Sequence, residues 1–221
     1  MRMRKLKHLV ERQERCQAIW VTEPESLMGQ WRSLMPEAKE VWLEIGCGKG
    51  KFTAETAQAN PEMLLLGMER VAEAHVMAME KAMEMELQNV RYIIMDAEWL
   101  DKSFAPGELD GIFLNFSDPW PSTRHAHRRL THRNFLARYA RALKPGGKLC
   151  FKTDNAGLFE FSVKEFERNG WKLSEVTRDL HRDGIVGIMT GYEEKFHAQG
   201  IPICRLEAVY EGAAHDSHSD C

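Results

Sequence analysis

The feature that most constrains the fold is a short apolar segment that runs into a glycine-rich turn and then into a helical segment. Val41–Ile45 has the length and apolar content of a buried strand, Gly46–Gly50 supplies three glycines, and Phe52–Asn60 has helical spacing. Glycine lets the backbone turn sharply and lets a ligand approach main-chain atoms. This order is typical of the first strand–helix unit of a nucleotide-type α/β fold. The G-x-G-x-G spacing alone also fits an ordinary tight turn.

Three further apolar segments each end near a carboxylate. The acids are Glu69, Asp96 and Asp118, after the predicted strands Met63–Met68, Val90–Met95 and Gly111–Leu114. Ligands of open α/β sheets bind outside the carboxyl ends of the strands. Glu69 is placed to accept both hydroxyls of a ribose, and Asp96 either accepts from an adenine amino group or caps a short helix. Because no basic cradle for a pyrophosphate is evident, the pattern favours S-adenosylmethionine over NAD.

The segment Asn115–Arg129 carries the predicted chemistry. Pro119 and Pro121 lack an N–H and fix φ, so they end the strand and begin a rigid loop that holds Asp118 and Trp120 at the sheet edge. The following positively charged and imidazole side chains are Arg124, His125, His127, Arg128 and Arg129. An acid and an aromatic face beside guanidinium groups suit a nucleobase site flanked by a phosphate backbone. A tight turn followed by a solvated basic helix fits the local pattern equally well.

The remaining periodicity predicts one α/β domain at residues 38–211, a basic arm at 1–37 and a disordered tail at 212–221. The other predicted helices are Val71–Leu87, Thr131–Leu143, Leu158–Asn169 and Tyr192–Gln199, and the other predicted strands are Lys148–Thr153, Trp171–Arg178 and Ile201–Tyr210. The segment Lys144–Gly147 is predicted to be a turn between a helix and a strand.

Composition narrows the class of protein. With 43% hydrophobic and 29% charged residues, the 221-residue chain is globular. The net charge is only −3, yet basic residues gather before Arg15 and at Arg124–Arg141, which favours a local anionic partner. Five scattered cysteines without a CxxC pair indicate a reducing compartment. Without a signal-peptide core or a long apolar run, we expect a cytoplasmic protein with no membrane partner.

Five motifs in order carry a resemblance to a known family: LEIGCGKGKF, GMER, NFSDPWPSTRHAHRRL, LKPGGKLCFKTDN and TGYEEKF. From the first residues to about Tyr210 the chain resembles the bacterial tRNA (guanine-46-N7-)-methyltransferases. The DPWP-x-x-RH-x-x-RR and T-x-YE-x-KF segments are the most specific. The resemblance implies a Rossmann-like class I methyltransferase, with a mostly parallel central sheet, an antiparallel final strand and helices on both faces. It also implies methyl transfer from S-adenosylmethionine to N7 of guanine 46 in the variable loop of tRNA, leaving S-adenosylhomocysteine, without a metal, by a monomer or homodimer.

The resemblance further implies a role for each site residue. Toward the cofactor, Glu44, Gly46 and Gly48 would face the methionine end, Glu69 the ribose, Asp96 the adenine, and Asp118 the transferred methyl group as the catalytic residue. Toward tRNA, the implied contacts are Ser122, Arg124, Arg128 and Arg129, with Asp154, Thr190, Gly191, Tyr192 and Glu193 completing the guanine pocket. Ser122 stands where the family usually has a lysine, so Arg124 is a candidate for part of that contact.

Three alternatives remain from the residues themselves. An amino-methyltransferase acting on adenine or cytosine would carry its second proline directly after the first, unlike Asp118-Pro119-Trp120-Pro121. A non-catalytic RNA-binding module would not need the strand-end acids. A metal-dependent hydrolase built on His125, His127 and His132 is disfavoured because the neighbouring arginines would repel a cation.

Overall fold

The computed structural model describes residues 6–211, which form an α/β fold around one eight-stranded sheet. The strands are β1 Trp20–Val21, β2 Glu40–Ile45, β3 Met63–Glu69, β4 Val90–Ile94, β5 Leu109–Asn115, β6 Leu143–Thr153, β7 Trp171–Thr177 and β8 Cys204–Tyr210. The α-helices are α1 Leu9–Arg15, α2 Lys51–Ala59, α3 Ala72–Glu84, α4 Leu100–Ser103, α5 Arg133–Ala142, α6 Ala156–Arg168 and α7 Gly191–His197. In residues 6–211 no helix has the length and apolar content to cross a bilayer.

The strand order fixes where a ligand can bind. The order is β1-β4-β3-β2-β5-β6-β8-β7, and β8 pairs antiparallel with β6 and β7 while every other pair is parallel. The predicted mostly parallel sheet with an antiparallel final strand is therefore confirmed. From β2 the chain builds outward through β3 and β4, then returns to add β5 on the other side. Such a switch point opens a crevice at the carboxyl ends of the two strands, here β2 and β5.

Side-chain alternation along the strands gives the sheet two apolar faces. On one face, Leu43 of β2 belongs to a core cluster with Tyr139 of α5 and Phe159 of α6. On the other, Leu65 of β3 belongs to a cluster with Val76 of α3. Because successive strand residues point to opposite faces, both faces of a buried parallel strand must be covered. The predicted helices on both faces are confirmed.

The N-terminal segment contributes to the core more than its composition suggested. Trp31 is fully buried, and its ring stacks on Phe104 with centroids 5.1 Å apart. The carboxylate of Glu108 accepts hydrogen bonds from the backbone amides of Gly29, Trp31 and Ala105. The two-residue strand β1, which pairs with β4, was not predicted from the sequence. The proposed boundary between residues 37 and 38 stays a prediction, and residues 1–5 and the tail 212–221 lie outside the described residues.

Two predicted strands begin at least three residues away from their expected positions. β6 begins at Leu143, so the segment Lys144–Gly147, predicted to be a turn, lies within the strand. The register moves from Leu109↔Leu143 to Gly111↔Lys148, which accommodates the segment as an irregularity of β6. Such bulges let a strand carry extra residues without losing its pairing. The last strand begins at Cys204 rather than Ile201.

His75 is a buried ionisable group away from the crevice. It lies on α3 with no exposed surface, and its ring packs edge-on against Trp20 and Tyr92, at centroid distances of 5.9 and 6.1 Å. Burial disfavours the charged imidazolium and lowers the pKa of His75 from 6.5 to about 4.

This pKa predicts an acid-sensitive contribution to stability. The unfolded chain binds a proton at His75 below about pH 6.5 and the native protein only below about pH 4, so the free energy of unfolding falls as the pH drops between these values. The loss amounts to about 3 kcal/mol in total. In urea unfolding at pH 7 and pH 4.5, we expect His75→Leu to lose less stability on acidification than the wild type. His8→Leu, at an exposed position, is the control. An equal loss in His75→Leu and the wild type would contradict the assignment.

Candidate functional site

The glycine turn after β2 opens the crevice. Gly46, Gly48 and Gly50 have φ values of 77°, 56° and 73°, which side chains rarely adopt. A Cβ atom on Gly50 would lie 2.6 Å from the Cβ of Ala78, so this glycine allows α3 to pack closely. A Cβ atom on Gly46 or Gly48 would meet nothing within 4 Å. The turn therefore exposes main-chain atoms to open space at these two positions.

Glu69, at the end of β3, fixes the turn. One carboxylate oxygen accepts a hydrogen bond from the amide of Gly48 at 3.0 Å. The other accepts from the amides of Arg70 and Val71, at 2.8 and 2.9 Å. The strand-end acid thus joins the glycine turn to the start of α3. A carboxylate has about four acceptor positions, so three amides leave capacity for one more donor.

Asp96 and Asp118 approach one shared side chain. Their Oδ2 atoms each lie 3.8 Å from a terminal nitrogen of Arg70, Nη1 for Asp96 and Nη2 for Asp118. The other oxygen of Asp96 accepts a hydrogen bond from the amide of Glu98 and caps a 3₁₀ turn. This is the capping role that the sequence offered as the alternative to an adenine contact. The structure therefore brings the three strand-end acids, which the sequence spreads over fifty residues, to one edge of the sheet.

Glu44 lies beneath the turn, with 2% of its surface exposed. It accepts hydrogen bonds from the Thr53 hydroxyl on α2 and from the Asn115 amide at the end of β5, the latter at 3.0 Å. Burial raises the pKa of Glu44, and the two hydrogen bonds act in the opposite direction. Both of its oxygens are engaged within the protein, so direct contact of Glu44 with a ligand stays a prediction.

The loop that carries Asp118 has a strained backbone. Phe116 and Trp120, on either side of this acid, have φ values of 54° and 39°. Bulky residues rarely adopt this left-handed region, and each instance costs about 1–3 kcal/mol. The surrounding structure must therefore impose the shape, and one restraint is the hydrogen bond from the amide of Phe116 to the carbonyl of Lys152, at 2.9 Å. Such strain recurs at functional sites.

The arginines after this loop have different environments. Arg129 donates to the carbonyl oxygens of Pro119 and Trp120, at 3.1 and 3.0 Å, and so holds the loop from below. The guanidinium of Arg128 lies 3.8 Å from the centroid of the Trp120 ring. Arg124 is exposed. Of the three arginines predicted to contact tRNA, Arg124 and Arg128 are exposed and Arg129 is partly buried, and the ring of Trp120 is covered on one side by Arg128.

A buried ionic cluster anchors the segment before α7. The ammonium of Lys152 on β6 lies 2.6 Å from one oxygen of Glu193 and donates to the carbonyl of Ile188 at 3.1 Å. His181 Nε2 lies 2.9 Å from the other oxygen of Glu193, while its Nδ1 accepts from the amide of Val186. Burial lowers the pKa of Lys152, and Glu193 opposes this effect. The cluster therefore holds both ends of the loop between His181 and Glu193.

The residues predicted to form the guanine pocket differ in their exposure. Thr190 and Glu193 are buried and form a capping box at the start of α7. Gly191 and Tyr192 are exposed, and Asp154 is partly exposed directly after β6. Ser122 is exposed just before the 3₁₀ turn Thr123–Arg128. The contacts of these residues with a substrate stay predictions.

Sequence reasoning assigned no role to four members of the site. They are Arg70, Asn115, Lys152 and His181. For Lys152 a signal existed, because a lysine within the apolar strand Lys148–Thr153 must point to a partner or to solvent. Arg70 follows a strand-end acid, but nothing in its neighbourhood along the chain indicates its approach to Asp96 and Asp118. In residues 6–211 no three His, Cys, Asp or Glu residues gather as a metal would require.

The fold and the comparisons now define the class of protein. A family model described as "Putative methyltransferase" matches residues 38–206. Among solved structures, the 16S rRNA methyltransferase KamB aligns with a TM-score of 0.63 at 18% identity, covering 83% of this chain and 94% of that one. An antibiotic-related methyltransferase aligns with a TM-score of 0.60 at 19% identity, covering 82% and 92%. At these identities the likeness concerns the fold alone, which is that of the class I methyltransferases.

Closer relatives identify the family. A tRNA (guanine-N(7)-)-methyltransferase of Listeria monocytogenes serotype 4b (strain F2365) is 45% identical over 202 residues, which cover 91% of this chain and 94% of the relative. A relative of the same description from Listeria innocua serovar 6a is 44% identical with the same coverage. The chain belongs to the tRNA (guanine-N(7)-)-methyltransferase family.

The ionic cluster predicts a local effect of one substitution. Lys152→Met leaves Glu193 buried without its cation, which typically costs about 3–5 kcal/mol. We expect the loop between His181 and Thr190 to open more often, so trypsin should cleave after the exposed Arg182 faster than in the wild type. Lys148→Met, on the same face of β6 but half exposed, is the matched control, because its partner Glu207 keeps a second cation, Arg205. Equal cleavage rates in all three proteins would show that Lys152 does not hold the loop.

Proposed function

We propose that this protein transfers a methyl group from S-adenosylmethionine to N7 of guanine 46 in the variable loop of tRNA. The observation that carries the proposal is the meeting of strand-end acids Glu69, Asp96 and Asp118 beside an open glycine turn at the switch point of the sheet. Membership of the tRNA (guanine-N(7)-)-methyltransferase family supports the same substrate and atom, and position 46 follows the resemblance of the motifs.

The residues at the crevice fit S-adenosylmethionine. The open space at Gly46 and Gly48 leaves room for the methionine end, and Glu69 retains acceptor capacity for a ribose hydroxyl. Asp96 is half exposed and available to the adenine amino group. Glu44 supports the turn from below through Thr53 and Asn115. When bound, the cofactor supplies an electrophilic methyl group on a sulfonium centre.

The proposed reaction requires the target guanine to be positioned and requires no general base. Guanine N7 carries an in-plane lone pair and no proton, so no group has to remove one. Holding N7 in line with the methyl group is a proximity effect. The purine becomes cationic as the bond forms, which makes its N1–H and N2–H better donors. Carboxylates such as Asp118 and Asp154 accept from them more strongly in the transition state than in the ground state.

The rim around the crevice suits folded RNA. Arg124 is exposed beside Asp118's loop, and Arg128 presents its guanidinium over Trp120. At the start of α7, 59% of Tyr192 is exposed and its ring stacks on Phe196. Guanidinium groups bind phosphates, and an exposed aromatic ring can stack on a base that has left its helix. The target guanine has to leave its stack to reach the methyl group.

The first test concerns Asp118. Single-turnover methyl transfer from labelled S-adenosylmethionine to unmodified tRNA is expected to slow by about a hundredfold or more in Asp118→Ala, because one preorganised acceptor is lost. Aniline-sensitive strand scission maps the methylated atom and position. Asp101→Ala, which removes a carboxylate that pairs with Arg138 on the surface, should leave the rate near that of the wild type. Near-normal transfer by Asp118→Ala at saturating tRNA and cofactor would remove Asp118 from the chemistry. Methylation of an exocyclic amine would favour the amino-methyltransferase alternative.

The second test distinguishes the role of Arg124 from that of Arg129. Arg124→Met is expected to weaken tRNA binding and to reduce the slope of log affinity against log salt by about one, with unchanged thermal stability, because an exposed phosphate contact is lost. Arg129→Met is expected to lower the stability by about 2 kcal/mol, because two loop carbonyls lose their donor. Filter binding at several salt concentrations and urea unfolding measure the two effects. If Arg124→Met changed stability but not the salt dependence, the surface role would be wrong.

A further inference from the structure

Arg70 is the first residue after β3 and stands between two acids of the proposed cofactor site. Its two terminal nitrogens each lie 3.8 Å from a carboxylate, one on Asp96 and one on Asp118. Among residues 6–211, Arg70 is the one basic side chain within 4.0 Å of either acid. It also borders a hollow of about 510 Å³ that Glu25, Trp99 and Lys102 help to line. The guanidinium therefore has space to move away from the acids.

The contacts of Arg70 are favourable but weak. The side chain of Arg70 is 58% exposed and that of Asp118 is 67% exposed. Ion pairs of such exposure and length contribute little and are screened by salt. Without Arg70, however, these two carboxylates would have no basic side chain of residues 6–211 within 4.0 Å. A second cation at the same position would therefore attract the two carboxylates about as strongly as the guanidinium does.

We propose that Arg70 is the counter-ion of Asp96 and Asp118 when no cofactor is bound and that it sets the balance between the affinities for cofactor and product. This inference rests on the proposed function. The sulfonium of S-adenosylmethionine replaces the charge of Arg70 beside Asp118. S-adenosylhomocysteine carries a neutral thioether at the same atom, so Asp118 regains its attraction for Arg70 after transfer. Arg70 thus reduces the preference of the protein for S-adenosylmethionine over the product.

Binding measurements test the proposal without reference to turnover. Isothermal titration gives the dissociation constants of S-adenosylmethionine and S-adenosylhomocysteine for the full-length wild type, Arg70→Gln and Arg70→Lys. We expect Arg70→Gln to shift the ratio of the two constants toward S-adenosylmethionine by roughly threefold to tenfold at low salt. Arg70→Lys keeps the charge and should stay near the wild-type ratio. At 1 M salt, where the screening length is about 3 Å, the difference between wild type and Arg70→Gln should shrink.

Two further variants sharpen the result. Arg178→Gln removes another largely exposed arginine that pairs with a surface carboxylate, Glu160, and should leave the ratio unchanged. In an Asp118→Asn background, Arg70→Gln should no longer shift the ratio, because the acid that distinguishes the two ligands is gone.

The contrary outcomes are distinct. An unchanged ratio in Arg70→Gln, or an equal weakening of both ligands as expected if Arg70 only stacked on the adenine, would overturn the role of Arg70. Failure of the wild type to bind either ligand would instead overturn the proposed function.

Discussion

The buried carboxylate of Glu44 is the interaction on which the crevice depends. It lies at the end of the central strand β2, and its two oxygens join Thr53 on α2 and Asn115 at the end of β5. One residue thus fixes the glycine turn to the strand that leads to Asp118. Burial of a carboxylate is costly unless its oxygens accept hydrogen bonds. Here each oxygen of Glu44 accepts one. Because β2 and β5 flank the switch point, this contact lies directly beside the crevice.

Around this contact the protein stores strain where the chemistry is proposed. Phe116 and Trp120 have left-handed backbones in a loop that Lys152 and Arg129 hold through its amide and carbonyl groups. Lys152 has a second task, since its ammonium holds Glu193 and the segment before α7. A single strand, β6, therefore positions both the loop that carries Asp118 and the segment before α7. Rigid support of this kind keeps a reacting base in line at little entropic cost during reaction.

The charges at the crevice edge are less firmly held than the backbone. Asp96, Asp118 and Arg70 are all 40% exposed or more, and their separations of 3.8 Å are long for ion pairs. This contrast suits the proposed exchange of a cationic cofactor for a neutral product at this site. The buried contacts of Glu44 and Glu193 preserve the shape of the crevice, whereas the exposed ones can rearrange when a ligand enters.

The sequence by itself determined the α/β class, most strands, and the acids at their carboxyl ends, because strand periodicity, glycine turns and strand-ending prolines are local properties of the chain. It also identified the DPWP loop and its basic flank. Only the tertiary structure decided the role of each group. Arg129 holds the loop through hydrogen bonds, whereas Arg124 is exposed to solvent. Thr190 and Glu193 are buried in the N-terminal cap of α7. The approach of Arg70 to Asp96 and Asp118, the pairing of β1 with β4, and the burial of Trp31 likewise depend on which surfaces meet in space, and contacts between residues far apart in the chain leave no periodic signal in the sequence.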